Sequence, residues 1–129
     1  MKSFTTISFF MVLLIAVILF HIGIIVKLIP YEIVWGGQLH NDSEMYTFEC
    51  ISIIINLFLG AVLIAKDSAK SRRLNKILDI ILLIFLIVFS LNAIVNAFAK
   101  TIFEKSFAIM TLTFVILIWK ILNTKNNKF

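Results

Sequence analysis

Long apolar runs separated by short polar stretches dominate the chain, and their lengths set the first expectation. A helix rises about 1.5 Å per residue, so about 20 apolar residues cross a hydrocarbon layer of roughly 30 Å. Four runs meet that length, at about 5–29, 44–65, 77–99 and 101–122. None shows the strict alternation of apolar and polar residues that a membrane β-barrel requires, so helices are the spanning element. The fold class expected is all-α, a four-helix transmembrane bundle forming a single integral membrane domain over residues 1–129.

The polar stretches carry boundary signals. Pro30 lacks a backbone donor and disfavours helical geometry at Ile29, which predicts the end of the first span. Gly36 and Gly37 lie in the longest loop and suit a turn, since glycine adopts positive φ without steric penalty. Asn41, Asp42 and Ser43 are all suitable N-caps for the second span, and Asn41 with Glu44 has capping-box spacing. The stretch Lys66–Lys76 holds five basic residues and one acid, Asp67, and reads as a polar loop. Thr101 and Glu104 form a second capping box after a short connection, so spans three and four are expected to pair as an antiparallel hairpin. The tail from Asn123 is polar and reads as disordered. Lys2 followed by Ile7–Phe20 imitates a signal peptide, but the apolar run continues past His21 and no small-residue cleavage site follows, so it reads as a membrane anchor.

Charge then orients the chain. Nine basic residues (Lys2, the five at 66–76, Lys120, Lys125 and Lys128) fall on one side of the spans, and three (Lys27, Lys100 and Lys105) on the other. Basic loops stay in the cytoplasm, so both termini are predicted there. Tyr31, Trp35 and Tyr46 would then mark the outer boundary and Trp119 the inner one. Composition agrees with a lipid environment: 61% of the 129 residues are hydrophobic and the mean hydropathy is +1.07. The net charge of +5 is thus a topology signal, and no nucleic-acid partner is expected.

Chemistry is sparse and lopsided in depth. With these boundaries His21 lies roughly 12 Å, Glu49 roughly 7 Å, Asn92 roughly 11 Å and Asn96 roughly 5 Å below the outer ends of their spans. Ser52 and Thr111 fall at similar depth, whereas Asp79, near the basic loop, is expected to be solvated. Glu49, Ser52 and Asn56 share one helix face, as do Asn92, Asn96 and Lys100. Ala93 and Ala97 form a small-x-x-x-small pattern that would let a neighbouring helix come close enough for the asparagines to bond across the contact. The candidate ligand-binding cluster is therefore His21, Glu49, Ser52, Asn92, Asn96 and Lys100, with Glu49 as its protonatable centre.

Two readings follow from this cluster. One is structural, with Asn, Ser and Thr tying helices together and Glu49 pairing with Lys27 or Lys100. The other is functional, because ionisable groups inside a membrane are costly and mark sites, and His21 beside Glu49 would handle a proton. Catalytic residues cannot be assigned. No metal site is expected, since His40, Asp42 and Glu44 lack ligand spacing, and no cofactor either. The glycine pair lacks the Lys-Ser or Lys-Thr ending of a phosphate loop. A lone Cys50 excludes Cys-x-x-Cys chemistry of the vitamin K epoxide reductase kind and reads as inert beside lipid.

Ile29–Gly37, Glu44–Glu49 and the later Asn92–Glu104 segment resemble a group of small four-span bacterial membrane proteins with no assigned activity. The resemblance covers nearly the whole chain and implies topology and a bacterial inner (plasma) membrane, nothing about mechanism. Where that group often has a basic residue after the glycine pair, this chain has Gln38. Likeness to DoxX-like proteins and to the sterol isomerase fold is confined to span count and polar placement, and small multidrug transporters carry a Glu in span one that is missing here. The sequence favours a non-enzymatic small membrane protein, an accessory subunit or apolar-ligand binder with an outward-facing polar pocket. The alternative is a proton-coupled small transporter or lipid-modifying enzyme using Glu49. Expected partners are membrane lipids and a larger membrane protein or further copies of the chain.

Overall fold

The computed structural model describes residues 2–30, 40–99 and 102–123. Within them lie four α-helices: α1 (Lys2–Ile25), α2 (Asp42–Ser68), α3 (Arg72–Ala97) and α4 (Ile102–Asn123). Each is long and apolar enough to cross a membrane. The 27 residues of α2 extend about 40 Å, more than the roughly 30 Å of hydrocarbon, so its polar ends reach the headgroup depth. The four-helix all-α architecture expected from the hydropathy pattern is the one observed.

The helices run up and down. α1 packs along α2 and α3 along α4, the latter being the most extensive interface; α1 against α4 and α2 against α3 close the ring more lightly. One end of the bundle carries Asn41, where α2 begins, and the other carries Ser71, where α3 begins. In the half nearer Ser71, side chains from all four helices make a continuous core that includes Phe10, Leu14, Leu63, Leu82, Phe114 and Ile118. Phe114 is its hub, with ring centroids 4.8 Å from Phe10 and 5.5 Å from Phe89, distances at which tilted and edge-on rings attract. Towards Asn41 the apolar core shrinks to Ile24 on α1 and Met45 on α2, with Phe20, Ile25 and Ile29 packed against them. Most remaining Ile, Leu and Val side chains face outward, from Leu19 on α1 to Ile116 on α4. An outward surface this apolar suits lipid and not water.

The helix ends depart from the hydropathy boundaries in two places. α1 stops at Ile25, before Pro30. Leu28 N donates to Gly23 O at 2.9 Å and Lys27 N to Ile24 O at 3.0 Å, with Lys27 at φ 66°. These paired bonds and the left-handed residue make a Schellman stop, which satisfies the last carbonyls of the helix before proline is reached. The basic stretch, expected as an eleven-residue polar loop at 66–76, is mostly helical. α2 continues to Ser68, and α3 starts at Arg72 under an N-cap in which Ser71 Oγ accepts from Leu74 N at 3.1 Å. Arg, Leu and Lys are good helix formers, and nothing requires a helix to end where the lipid does. At the other end of α2 the expected capping box is present: Asn41 Oδ1 accepts from Glu44 N at 2.9 Å, and Asn41 Nδ2 donates to Glu44 Oε1 at 3.3 Å. The glycine turn at 36–37, Tyr31, Trp35, Gln38, Lys100, the Thr101 cap and the tail beyond Asn123 lie outside the described residues.

Asp79 is not simply solvated. Lys66, only 8% exposed, places Nζ 2.5 Å from Asp79 Oδ1 and donates to Asn75 Oδ1 at 2.5 Å. A lysine at the foot of α2 thus grips two acceptors on the first turns of α3, joining the two hairpins at the Ser71 end. The contact with Asp79 is one of charge, without hydrogen-bond alignment at Oδ1.

Candidate functional site

Between the four helices, above the Phe114 core and towards Asn41, lies a cavity of about 330 Å³. That volume is within the roughly 300–1,000 Å³ range of small-molecule sites. Its position follows from the thinning of the core: Phe89 and Phe114 form its floor, and Phe20 and Phe107 a wall, their ring centroids 4.6 Å apart. Polar groups then enter from α1, α2, α3 and α4.

The α2 contribution is a single buried stripe. Met45, Glu49, Ser52, Asn56, Leu59, Leu63 and Lys66 recur at three- and four-residue spacing and all are buried, the arc a helix presents to its neighbours. Glu49, Ser52 and Asn56 line the cavity, and Glu49 is completely inaccessible. A carboxyl group so placed needs a partner. It has one in His21 on α1, whose Nδ1 shares a hydrogen bond with Glu49 Oε2. His21 is half-buried at the cavity wall, one turn before α1 ends, with its ring edge-on to Phe20 at 5.6 Å. Of the partners the sequence offered Glu49, the structure shows His21, while Lys27 reaches Asp42 at 2.5 Å on the surface and Lys100 lies outside the described residues. The Schellman turn carries Lys27 up to the start of α2, and the imidazole, a full turn lower, is what stands level with Glu49.

Asn92 and Asn96 on α3 also line the cavity, but not as the small-residue pattern predicted. Asn96 Nδ2 donates to Asn92 Oδ1 at 3.1 Å along the same helix, so the two bond to each other and not across a contact. Ala93 is buried whereas Ala97 is exposed, so only one of the pair serves a close approach. Asn92 is exposed, as are Val88 below it and Ile55 on the facing flank of α2, although all three line the cavity. The cavity is consequently open between α2 and α3, the pair of neighbours that pack lightly, and it is open towards surfaces that are otherwise apolar.

Of the six residues singled out from the sequence, His21, Glu49, Ser52, Asn92 and Asn96 surround one cavity; Lys100 lies outside the described residues. Asn56 and Thr111 complete the polar lining. Both were visible as polar positions facing the right way, Asn56 on the Glu49 stripe and Thr111 at matching depth. The phenylalanine walls were not visible, because a phenylalanine in an apolar span carries no mark of whether it meets lipid, core or cavity. Buried donors are satisfied locally: Ser52 Oγ donates to Phe48 O at 2.9 Å, Asn56 Nδ2 to Ser52 O at 2.8 Å and Thr111 Oγ1 to Phe107 O at 2.7 Å. No protein-family model, curated protein or solved structure matches the chain.

Proposed function

We propose that this is a non-enzymatic multi-pass protein of a bacterial inner membrane, with both termini in the cytoplasm, that binds a small, largely apolar molecule in the cavity at the Asn41 end. The observation that carries the reading is the buried His21–Glu49 pair set in the wall of a cavity of about 330 Å³ whose other lining combines aromatic and aliphatic side chains with a few neutral polar ones. Sites of this make-up use apolar walls for affinity and a few converging polar groups for orientation. A purely structural polar cluster would be expected to close around itself, and this one leaves space. The exposed Ile55 and Val88 at its rim favour entry from the lipid rather than from water. The orientation rests on the nine-to-three distribution of Lys and Arg and the tendency of basic loops to stay in the cytoplasm; with it the cavity would fall in the outer half of the bilayer.

The test is photolabelling in proteoliposomes with a long-chain probe bearing a diazirine at its apolar end. Labelling is expected on cavity residues such as Val88, Phe107 and Phe114 above the level at lipid-facing Leu83 and Ile84, and Ser52→Phe, which fills the space, is expected to lower it by about tenfold. Uniform labelling of cavity and lipid-facing positions in the wild type would refute the proposal. The second reading, proton-coupled transport or lipid chemistry at Glu49, is favoured by the direct His21–Glu49 hydrogen bond. It requires that Glu49→Gln, which keeps shape but not the titrating proton, bind the probe normally yet abolish proton movement that the wild type displays.

A further inference from the structure

In a loop, the cations between Lys66 and Lys76 would have no fixed relation to the spans; the helix that begins at Arg72 gives them one. On α3, Arg73, Ile77, Ile80 and Ile84 follow at four-, three- and four-residue spacing, and Lys76, Ile80, Leu83 and Ile87 do the same beside them. Each cation therefore heads a row of side chains on one helix face. All of these side chains are exposed. With 26 residues, α3 is about 39 Å long against roughly 30 Å of hydrocarbon, so its first turn stands at headgroup depth. Ile77 to Ile87 then covers about 15 Å, the depth of one leaflet's chains.

These cations lack counter-charges within the protein. Residues 66–79 hold five basic side chains and two acids; Asp79 is taken by the buried Lys66, and the first turn of α3 contains no acid. Lys70, Arg73 and Lys76 are exposed and enter no ion pair among the described residues. Lys27, towards the other end, is paired with Asp42. Uncompensated Lys and Arg at a membrane surface attract anionic headgroups, each adding to the attraction. An acidic protein segment would match the cations but not the apolar rows directly beneath them. A molecule with an anionic head and long apolar chains matches both.

We propose that this face of α3, at the Ser71 end, is a binding site for an anionic phospholipid. Arg73 and Lys76 hold its phosphate, Lys70 adds charge from the link before the helix, and an acyl chain lies along Ile77, Ile80 and Ile84. The guanidinium of Arg73 offers a planar fork of donors suited to two phosphate oxygens, and Lys76 a compact charge on a flexible stem. The site is separate from the cavity and its test does not depend on what the cavity binds.

The experiment reads fluorescence quenching in the full chain reconstituted into phosphatidylcholine vesicles. Trp35→Phe and Trp119→Phe remove both native tryptophans, and Ile77→Trp places a reporter one turn below Arg73. Dibrominated phosphatidylglycerol and dibrominated phosphatidylcholine are compared as quenchers at equal low mole fraction. The anionic lipid is expected to quench with an apparent affinity about five- to tenfold higher, the weight of one to two uncompensated cations at a membrane surface. When Arg73→Gln and Lys76→Gln are added, the preference is expected to fall to within about twofold. A reporter at Ile64→Trp, exposed on α2 and one turn below Asp67 and Ser68, is expected to show no preference beyond about twofold. Quenching at Ile77→Trp that does not distinguish the two lipids overturns the site and leaves an acidic protein segment as the partner of these cations. A preference that survives loss of Arg73 and Lys76, or that is equal at Ile64→Trp, is nonspecific enrichment of anionic lipid and overturns it as well. Sodium phosphate and sodium chloride at matched ionic strength are expected to weaken the preference equally, by screening; a larger loss in phosphate makes free phosphate the ligand and overturns the lipid. If the double substitution costs the protein its monodisperse elution, Lys76→Gln alone carries the comparison, with a fall of about half the size expected.

Discussion

The residue on which the site turns is Glu49, fully buried on α2 and joined to His21 on α1. A side-chain hydrogen bond contributes about 0.5–3 kcal/mol, and removing one member leaves the other unsatisfied in a medium without water. The two side chains should therefore be energetically coupled. In a double-mutant cycle of His21→Ala and Glu49→Ala, unfolded with sodium dodecyl sulfate in mixed micelles, an interaction energy of about 1–3 kcal/mol is expected. Strict additivity of the two losses would mean that the pair does not hold α1 against α2. Ser52, Asn56 and Thr111 show the opposite economy of placement: each meets its need for a partner within its own helix, which is why they can line an open space at all. Legibility at this scale was uneven. The sequence reveals that Glu49 must find a partner and offers His21, Lys27 and Lys100 for it, but it does not choose among them, because that depends on where α1 stops relative to α2.

At the scale of the element, where a helix stops is decided by local backbone chemistry. The Schellman turn after α1 puts Lys27 at φ 66°, a region where a side chain with a Cβ costs roughly 1–2 kcal/mol relative to glycine. The Lys27–Asp42 contact is about half exposed on both sides, and such a surface pair contributes little. Lys27→Gly is accordingly expected to be more stable than Lys27→Ala by about 1 kcal/mol, as read from unfolding in mixed micelles, since both lose the pair and only the glycine escapes the strain. If alanine were the more stable, helical propensity would outweigh the turn and α1 would run on towards Pro30. The N-terminus of α2 was readable in advance, because Asn41 and Glu44 satisfy each other within four residues. The start of α3 was not, because hydropathy marks where lipid begins and Ser71 caps a helix that begins in the basic stretch.

At the scale of the molecule, two tight hairpins meet along lighter seams. Lys66 on α2 and Asp79 and Asn75 on α3 fasten one seam at the Ser71 end, the Phe114 core fills the half above it, and the far half is left with a cavity. This graded closure is what would let an apolar molecule enter between α2 and α3 without unfolding either hairpin. Our proposed orientation places the fastened end in the cytoplasm. A reporter enzyme active only outside the cytoplasm should then be silent when fused after Lys70 and active when inserted after His40, and the reverse pattern would invert the bundle. Expected interaction with a larger membrane protein or with further copies of the chain would use the outward apolar faces, from Leu19 to Ile116.

What the sequence determined by itself are the quantities that depend on neighbours along the chain. The number of membrane-length helices, the Asn41 cap, the hairpin of α3 and α4, and the gathering of His21, Glu49, Ser52, Asn92 and Asn96 towards one end all follow from periodicity and rise per residue. Tertiary structure alone decided the quantities that depend on helix rotation and on the fit between helices. It assigned Glu49 to His21 and Lys27 to Asp42, turned the two asparagines on each other, drew Lys66 to Asp79, and placed Phe20, Phe89, Phe107 and Phe114 around a space instead of filling it. The physical reason is that apolar side chains gain as much from lipid as from one another. Hydropathy therefore says how deep a residue lies, and only the packing of four helices says what it touches.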